Sequence, residues 1–453
     1  MEVNQSKSNA VPTHEARGDR VADAVIVSAY GRGNWLASEL AGRGWKVTLA
    51  DVTESLGPWQ PEDAEGPFGF FDTADIVASQ KTRLFSEGET VNSSSGMTFW
   101  FRNGPVEGRS ELTSYQLQNK EISKAVEQYL RKQGGDDASK KEAAKDLRAL
   151  SRASFQESWF AHLCHQLASP VIEENHAALS VGEAIPFFAP FSIRKATTAG
   201  WQKGLQACQV AGVRVRAKSA VKDIRLAGRS VDAIEINDDR AGVEKGRTFV
   251  WMLSSLETQK CSKLVAGPLF SSGAVEPDWY WARFSVAFGG NLADDEIPQH
   301  VVLVEDPFLP WTHANVLVLR KRAEARRYDV WSRLPIRVRF DADYLKGVGT
   351  EIASVLSRRL PQMDPTIVAL PIETKYSSDL LGGPRIPVFE AASLAKLNPL
   401  KAANLFFSGP EQWSSLDWQG QFRQQQQVLA QLEKLRAAWL AAEARQAQKN
   451  AHP

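Results

Sequence analysis

Three residues with chemical roles in view stand at Ser28, Tyr30 and Gly33, with an acid, Asp51, about 20 residues further along. They lie in VIVSAYGRGNWLASELAGRGWKVTLAD, residues 25 to 51. The spacing is that of G-x-G-x-x-G, in which the first glycine allows a tight turn and the second lets a diphosphate approach the backbone. The third lets a helix pack close on a strand. Phosphates then sit on unpaired N–H groups at the helix N-terminus, and the acid accepts a ribose hydroxyl. With the register set from Gly44 and Asp51, Ser28 takes the first position, Tyr30 the second and Gly33 the third. Gly33 keeps the packing role, and Ser28 suits its position with a negative φ. The Tyr30 phenol either fills the diphosphate's space or swings away and exposes the backbone. A second register puts Gly31 and Gly33 first, with Leu36 third, and lengthens the turn. The alternative for Asp51 is a helix cap or a solvated strand end, and the βαβ context favours the ribose role.

The elements that must position these residues follow from periodicity. ADAVIVSA, residues 22 to 29, is a buried parallel strand. Leu36, Ala37, Leu40 and Ala41 fall at helical spacing from Trp35 to Arg43, Gly44 closes the helix, and WKVTLAD is the second strand. Further on, a helix is expected from about Gly200 to Val210, with strands at Val213–Val215, Ala220–Leu226, Val231–Ile236 and RTFVWMLSS. Residues 121 to 167 read as helical, and AIPFFAPFSIR as an inter-domain crossing. Residues 266 to 384 alternate β runs (VLVL, IRVRF) with a helix around Tyr344–Leu360. NLFFSG, 404 to 409, is a strand, and a tail helix runs from about Gly420 to Lys449 with Phe422, Leu429, Leu432, Leu435 and Trp439 near one stripe.

Composition narrows the classes. The chain has 453 residues, 43% hydrophobic and 24% charged, with a formal net charge of +1, so it is a globular protein of two or three domains with no global pull toward nucleic acid or an anionic surface. Cys164, Cys208 and Cys261 lie far apart, which excludes a disulfide framework and points to a reducing, cytoplasmic setting. The first 20 residues lack an apolar h-region and read as a disordered lead-in, and no stretch is apolar enough to span a membrane. His162, Cys164 and His165 have no second ligand pair, so no metal is expected. No G-x-S-x-G elbow is present, and the basic run LRKRAEARRYD, Arg320 to Arg327, reads as a solvated turn.

Three blocks carry a resemblance: the opening βαβ, the segment GWQKGLQACQVAGVRVRAKSAVKDIRLAGRSVDAIEI, and NLFFSGPEQWSSLDWQGQF. Together they resemble the FAD-dependent amine oxidase and phytoene desaturase superfamily. The fold this implies is α/β: a Rossmann-like FAD/NAD(P)-binding domain of residues 21–75, 195–265 and 385–449, plus an inserted α+β substrate domain of 76–194 and 266–384. In KSAVKDI, Val221 and Ile224 match the V-x-x-I strand whose valine backbone meets the adenine, and Leu253, Ser254 and Ser255 hold the place of small residues beside the cofactor. Gly409-Pro410-Glu411 matches a G-T-E element whose acid holds the ribityl chain, except that proline removes one donor. Gly420 matches the glycine of the closing helix, and the helix N-terminus around Trp418–Gly420 faces the flavin's pyrimidine edge, with Trp413 and Trp418 beside the substrate. Gln421, Gln424 and Gln425 stand where the family has small residues.

The resemblance implies FAD as cofactor and an oxidoreductase acting on an amine or on a C–C bond of an apolar small molecule, with no catalytic residue assigned. The departures at Tyr30, Pro410 and the glutamines imply the other outcome, a cofactor-free member of the same fold that binds or scaffolds a protein partner, as GDP dissociation inhibitors do in that structural superfamily. An NAD-dependent dehydrogenase fits worst, because nothing after Asp51 reads as a standard six-stranded unit.

Overall fold

The structure is a computed structural model, and it describes residues 21–53, 205–237, 242–290, 300–305, 313–322, 324–371, 387–412 and 417–451, together with the short strands at 70–71, 90–93, 98–101, 171–172 and 191–194. The expected helix at 121–167, the His162–His165 cluster, the 184–190 part of AIPFFAPFSIR and the first turn of the Gly200–Val210 helix lie outside the described residues. In chain order the strands are β1 (Ala22–Ser28), β2 (Val47–Asp51), β3 (Phe70–Phe71), β4 (Thr90–Ser93), β5 (Thr98–Phe101), β6 (Val171–Ile172), β7 (Phe191–Arg194), β8 (Arg214–Arg216) and β9 (Ala220–Ala227). They continue as β10 (Ser230–Asn237), β11 (Gly242–Trp251), β12 (Trp279–Phe288), β13 (His300–Val304), β14 (Val316–Lys321), β15 (Arg327–Pro335), β16 (Pro365–Ala369), β17 (Pro387–Glu390) and β18 (Leu405–Phe407).

Seven strands form the first sheet, in the order β8-β2-β1-β11-β10-β9, with β18 also on β11. The β8, β2, β1, β11 and β18 pairings are parallel, while β9, β10 and the first half of β11 form an antiparallel meander. β11 therefore serves twice: Gly242–Lys245 pair with β10, and Phe249–Trp251 pair with β18. β1 and β2 are buried on both faces, which is why each reads as a continuous apolar run rather than an alternation. One face of the sheet, through Ile26, Leu49 and Val250, packs against Trp35, Leu36 and Leu40 of the Asn34–Gly42 helix and against Val428, Leu429 and Leu432 of the tail. The other face, through Val25, Val27, Phe249 and Trp251, packs on the meander's Val221, Ile224, Ile234 and Ile236. The opening, middle and closing segments thus meet in one three-layer unit.

The 35-residue tail helix, Asp417–Ala451, is held by more than apolar contact. Gly44 ends the Asn34–Gly42 helix with φ +80°, as its sequence position indicated. The exposed C-terminal carbonyls of that helix are then taken by Arg436, which donates to Arg43 O at 2.6 Å and Gly44 O at 3.0 Å. The same guanidinium lies over Trp45, and Trp45 Nε1 donates to Glu433 Oε1 at 3.2 Å.

A second sheet of eight strands runs β5-β13-β14-β15-β12-β17-β6, with β16 on β12. One of its faces buries Tyr280, Phe284, Val286, Leu319 and Val330 under the Ala342–Arg359 helix, whose Leu345, Val348, Ile352, Val355 and Leu356 recur at helical spacing. Asp341 caps that helix by accepting from Tyr344 N at 2.9 Å. β3, β7 and β4 form a third, small sheet.

Two expectations are corrected here. IRVRF is not a strand: Ile336–Val338 is a 3-10 turn that leaves β15 after Pro335. The basic run is only partly solvated, because Arg320 lies on β14 with 3% exposure, stacked over Trp331 and close to Asp329. An arginine stem can bury against an indole when its charge finds a carboxylate.

Gly33 and Gly347 give a matched test of the packing. A Cβ on Gly33 would stand 2.7 Å from Leu49 Cδ1 and 3.1 Å from both Ile26 Cγ2 and Ser28 Cβ, whereas one on Gly347, exposed in the Ala342–Arg359 helix, would touch nothing within 4 Å. Gly33→Ala is expected to destabilise by about 1–3 kcal/mol. Gly347→Ala is expected to stabilise by up to about 1 kcal/mol. Chemical denaturation of both variants reads the two signs.

Candidate functional site

The chain leaves β1 at Ser28 and turns into the Asn34–Gly42 helix through Ala29-Tyr30-Gly31-Arg32-Gly33. Tyr30 (φ +55°) and Gly31 (φ +69°) are both left-handed, a conformation that costs a tyrosine and not a glycine. Close helix-to-strand approach falls at Gly33, while Leu36 is an ordinary core residue, so the geometry follows the register Ser28, Tyr30, Gly33. The Tyr30 ring packs against the core beneath the meander, with the Arg32 guanidinium 5.5 Å from its centre, and the Tyr30 N–H is bonded to Thr53 Oγ1.

That backbone is closed by Asp51. The carboxylate is fully buried at the end of β2. Its Oδ2 accepts from Ser28 Oγ at 2.7 Å and from Gly31 N at 2.9 Å. Its Oδ1 accepts from Thr53 N at 2.9 Å and from Thr53 Oγ1 at 2.5 Å. Thr53 Oγ1 in turn accepts from Tyr30 N at 2.9 Å, Arg32 N bonds Ala29 O, and Asn34 N bonds Gly31 O. A carboxylate offers about four acceptor positions, and here four protein donors fill them. Asp51 is neither a helix cap nor a solvated strand end; its acceptor positions are filled by donors of the chain itself.

Across the turn stands the helix that follows β11. The sequence reading ran this strand to Ser255; it ends at Trp251, and Ser254 is the cap of a helix at Ser255–Cys261. Ser254 Oγ accepts from Glu257 N at 3.0 Å while Ser254 N donates to Glu257 Oε2 at 2.8 Å, a reciprocal capping box. The S-x-x-E signal for it stands at 254 to 257. Glu257 also receives Arg32 through two bonds of 2.8 Å each. Burial works against the Arg32 charge, and Glu257, helped by Tyr30 and Asp51, more than offsets it, so the guanidinium is held above its ordinary value. Sequence reasoning missed Arg32, Thr53 and Glu257, because the bonds that matter join residues far apart in the chain.

The closing segment bonds to the helix after β11. Gly409 admits no side chain, since a Cβ there would lie 2.6 Å from Leu253 O. Glu411 Oε1 accepts from Ser255 N at 2.6 Å and from Ser255 Oγ at 2.8 Å. Burial is the main cause that raises the Glu411 carboxyl to about 7; the Ser255 bonds pull it down and nearby Glu257 pushes it further up. The tail glutamines point inward: Gln425 Nε2 donates to Arg32 O at 2.9 Å, Gln421 Nε2 to the same oxygen at 3.3 Å, and Gln424 Nε2 to Phe407 O at 3.3 Å. Val221 is buried in β9, in the apolar cluster that also holds Ala29, Ala50 and Leu253 and has Tyr30 packed against it. Trp418 and Gly420 lie in the tail helix, which begins at Asp417, while Trp413 and the Trp418 and Phe422 side chains are outside the described residues. Among the described residues no group of three or more His, Cys, Asp or Glu could hold a metal, and no helix is long and apolar enough to cross a membrane.

The class this defines is a dinucleotide-type domain assembled from three chain segments beside a second, largely antiparallel domain. Solved structures fix the fold more closely. A putrescine oxidase bound to putrescine matches with a TM-score of 0.51 at 11% identity, over 92% of this chain and 99% of that one. Cyclohexylamine oxidase from Brevibacterium oxydans matches with a TM-score of 0.51 at 13% identity, over 92% and 100%. The fold is that of the FAD-binding amine oxidases, as the resemblance implied. No family model and no curated protein sequence matches the chain.

An FAD diphosphate does not fit the turn as folded, because the N–H groups of Tyr30 and Gly31 and the Asp51 lone pairs are all consumed within the chain. Asp51→Asn puts an amide donor where two protein donors now converge. It is expected to cost about 1–3 kcal/mol, read as a lower urea midpoint at unchanged slope.

Proposed function

We propose that this chain uses the amine oxidase fold as a cofactor-free binding or scaffolding module for a protein partner. The observation that carries the reading is the Asp51 carboxylate with its four donors. A dinucleotide site works because backbone N–H groups at the turn and helix start have no partner until the phosphates arrive. Here the chain supplies the anion. Glu257 and the Gln421–Gln425 face of the tail helix extend the same internal filling to Arg32. The domain division set out from the sequence belongs to this reading and is supported by the sheet that β1, β2, β8 to β11 and β18 share, with two departures at its bounds: β17 of the closing segment pairs with β12 and β6 in the second sheet, and Leu269 and Phe270 pack in the core of the first. We place the protein in the cytoplasm, a reading supported by Cys208 and Cys261, both free thiols.

A second reading has its own support. Coverage of 92% of the chain by the putrescine and cyclohexylamine oxidases favours an FAD-dependent oxidoreductase acting on an amine or an apolar C–C substrate. That support is likeness of fold, and fold alone does not carry chemistry. The Ser28, Tyr30, Gly31, Gly33, Asp51, Val221, Ser254, Gly409, Glu411, Trp418 and Gly420 positions would form the cofactor site in that case.

Absorbance separates the two. Purified protein is expected to be colourless, to release no flavin on denaturation, and to show no thermal shift with excess FAD. Tyr30→Gly is expected to relieve the left-handed strain without creating flavin affinity, since Asp51 and not the phenol closes the turn. A yellow preparation, or flavin binding gained with Tyr30→Gly, overturns the cofactor-free reading.

A further inference from the structure

The second sheet has a face that the reading above does not use. Phe284, Val286, Leu319 and Val330 turn toward the Ala342–Arg359 helix, so the residues that alternate with them turn the other way. On that second face Trp331 stands opposite both Arg283 and Val318, and Ser285 stands opposite Asp329. Val302 of β13 lies beside Val318. Trp331, Val318 and Val302 are fully buried, whereas Arg283 and Ala287 along β12 are half-buried. The face is thus deep and apolar at β13 and β14, and more open along β12.

Two donors on this face have nothing to bond. Trp331 is 0% and Ser285 7% exposed, yet Trp331 Nε1 and Ser285 Oγ have no hydrogen-bond partner among the described residues. A dry donor without an acceptor forfeits the bonds it would make in water, so such groups are rare. Their surroundings are positive. Along β12, β14 and β15 this face carries Arg283, Arg320, Arg327 and Arg333, with Asp329 as its one acid. Asp329 is already engaged, accepting from Arg322 Nε at 2.7 Å and lying 4.0 Å from Arg320 Nη2. The Arg320 guanidinium stacks 4.7 Å from the Trp331 ring centre, and that of Arg333 lies 4.8 Å from the Trp281 ring centre.

We propose that this face binds a small apolar carboxylate, whose charged end takes the Trp331 and Ser285 donors beside Arg283 and whose hydrocarbon body lies toward Val318 and Val302. A carboxylate brings about four acceptor positions and no donor, which is what an indole N–H, a hydroxyl and a guanidinium need. The buried valines ask for an apolar body, which inorganic phosphate lacks. An amine fits badly, because its cation would sit among guanidiniums of the same sign. The site uses no residue of the turn between β1 and the Asn34–Gly42 helix, so it holds whether or not flavin binds there.

The test is a titration of the 15N-labelled full chain with benzoate, followed at the indole N–H signals, with benzylamine and inorganic phosphate as controls. Trp331→Phe assigns the Trp331 signal by its loss. Benzoate is expected to move that signal saturably, and the controls to leave it in place. Ser285→Ala removes one hydrogen bond to a charged group and is expected to weaken benzoate binding by about tenfold or more. Benzoate is also expected to raise the Tm of wild type, and to raise that of Ser285→Ala less at the same concentration. A Trp331 signal that benzoate does not move, or that benzylamine or phosphate moves equally, overturns the proposal. So does a Tm rise undiminished in Ser285→Ala. That variant loses only a hydroxyl without a partner, so its Tm comparison decides the matter should Trp331→Phe not fold.

Discussion

A buried backbone N–H must have a partner, and a turn that normally waits for phosphates has several to place. In this chain that constraint is met from within by the Asp51 carboxylate. Ser28, Gly31 and Thr53 converge on it, and Thr53 passes the connection on to Tyr30. The consequences reach the rest of the groove. Once the turn is closed, Arg32 has no external anion to meet, and it meets Glu257 from a helix 225 residues away in sequence. The Arg32 carbonyl is then the open acceptor on that side, and the tail glutamines cover it. Bulky residues at 421 and 425 look out of place beside a flavin; beside a self-filled groove they are the donors it lacks.

The three-segment assembly survives this change because it depends on other contacts. Ile26, Leu49 and Val250 bury one face of the sheet and Val25, Phe249 and Trp251 the other, independent of any ligand. The tail helix is anchored at its middle by Arg436 on the carbonyls of residues 43 and 44, well away from the glutamines. Fold and site are thus separately supported, which is how a likeness of TM-score 0.51 to amine oxidases can coexist with a turn whose Tyr30 and Gly31 N–H groups are bonded within the chain.

What the sequence disclosed divides along the same line. Strands β1, β2, β9, β10 and β18 were legible because period and turn residues are local signals, and Gly33 and Gly44 were legible because each is needed by its own backbone. The convergence of distant blocks came from resemblance and not from pattern. Pairings such as Arg32 with Glu257 or Glu411 with Ser255 have no local trace, being set by which strands lie side by side. The S-x-x-E box at Ser254 was readable, yet the apolar run before it read as one strand and hid it. IRVRF misled for a related reason: alternation is shared by strands and by short turns, and Pro335 just before it, which marks the break, is a one-residue signal.

Charge decides what such a groove can still accept. Asp51 and Glu257 stand against the single guanidinium of Arg32, and Glu411 adds a third acid that stays neutral only while it is protonated. A diphosphate at this turn would bring further negative charge beside Asp51 and Glu257, and the Arg32 guanidinium is already bound to Glu257 in two bonds. On the cofactor-free reading, phosphate contacts at this turn compete with the bonds that Tyr30 N and Gly31 N already make to Thr53 and Asp51. Removing one partner from a buried ion pair alone costs about 3–5 kcal/mol. The residues that fill the site are therefore coupled: restoring any single position to the flavin pattern leaves the others holding it shut.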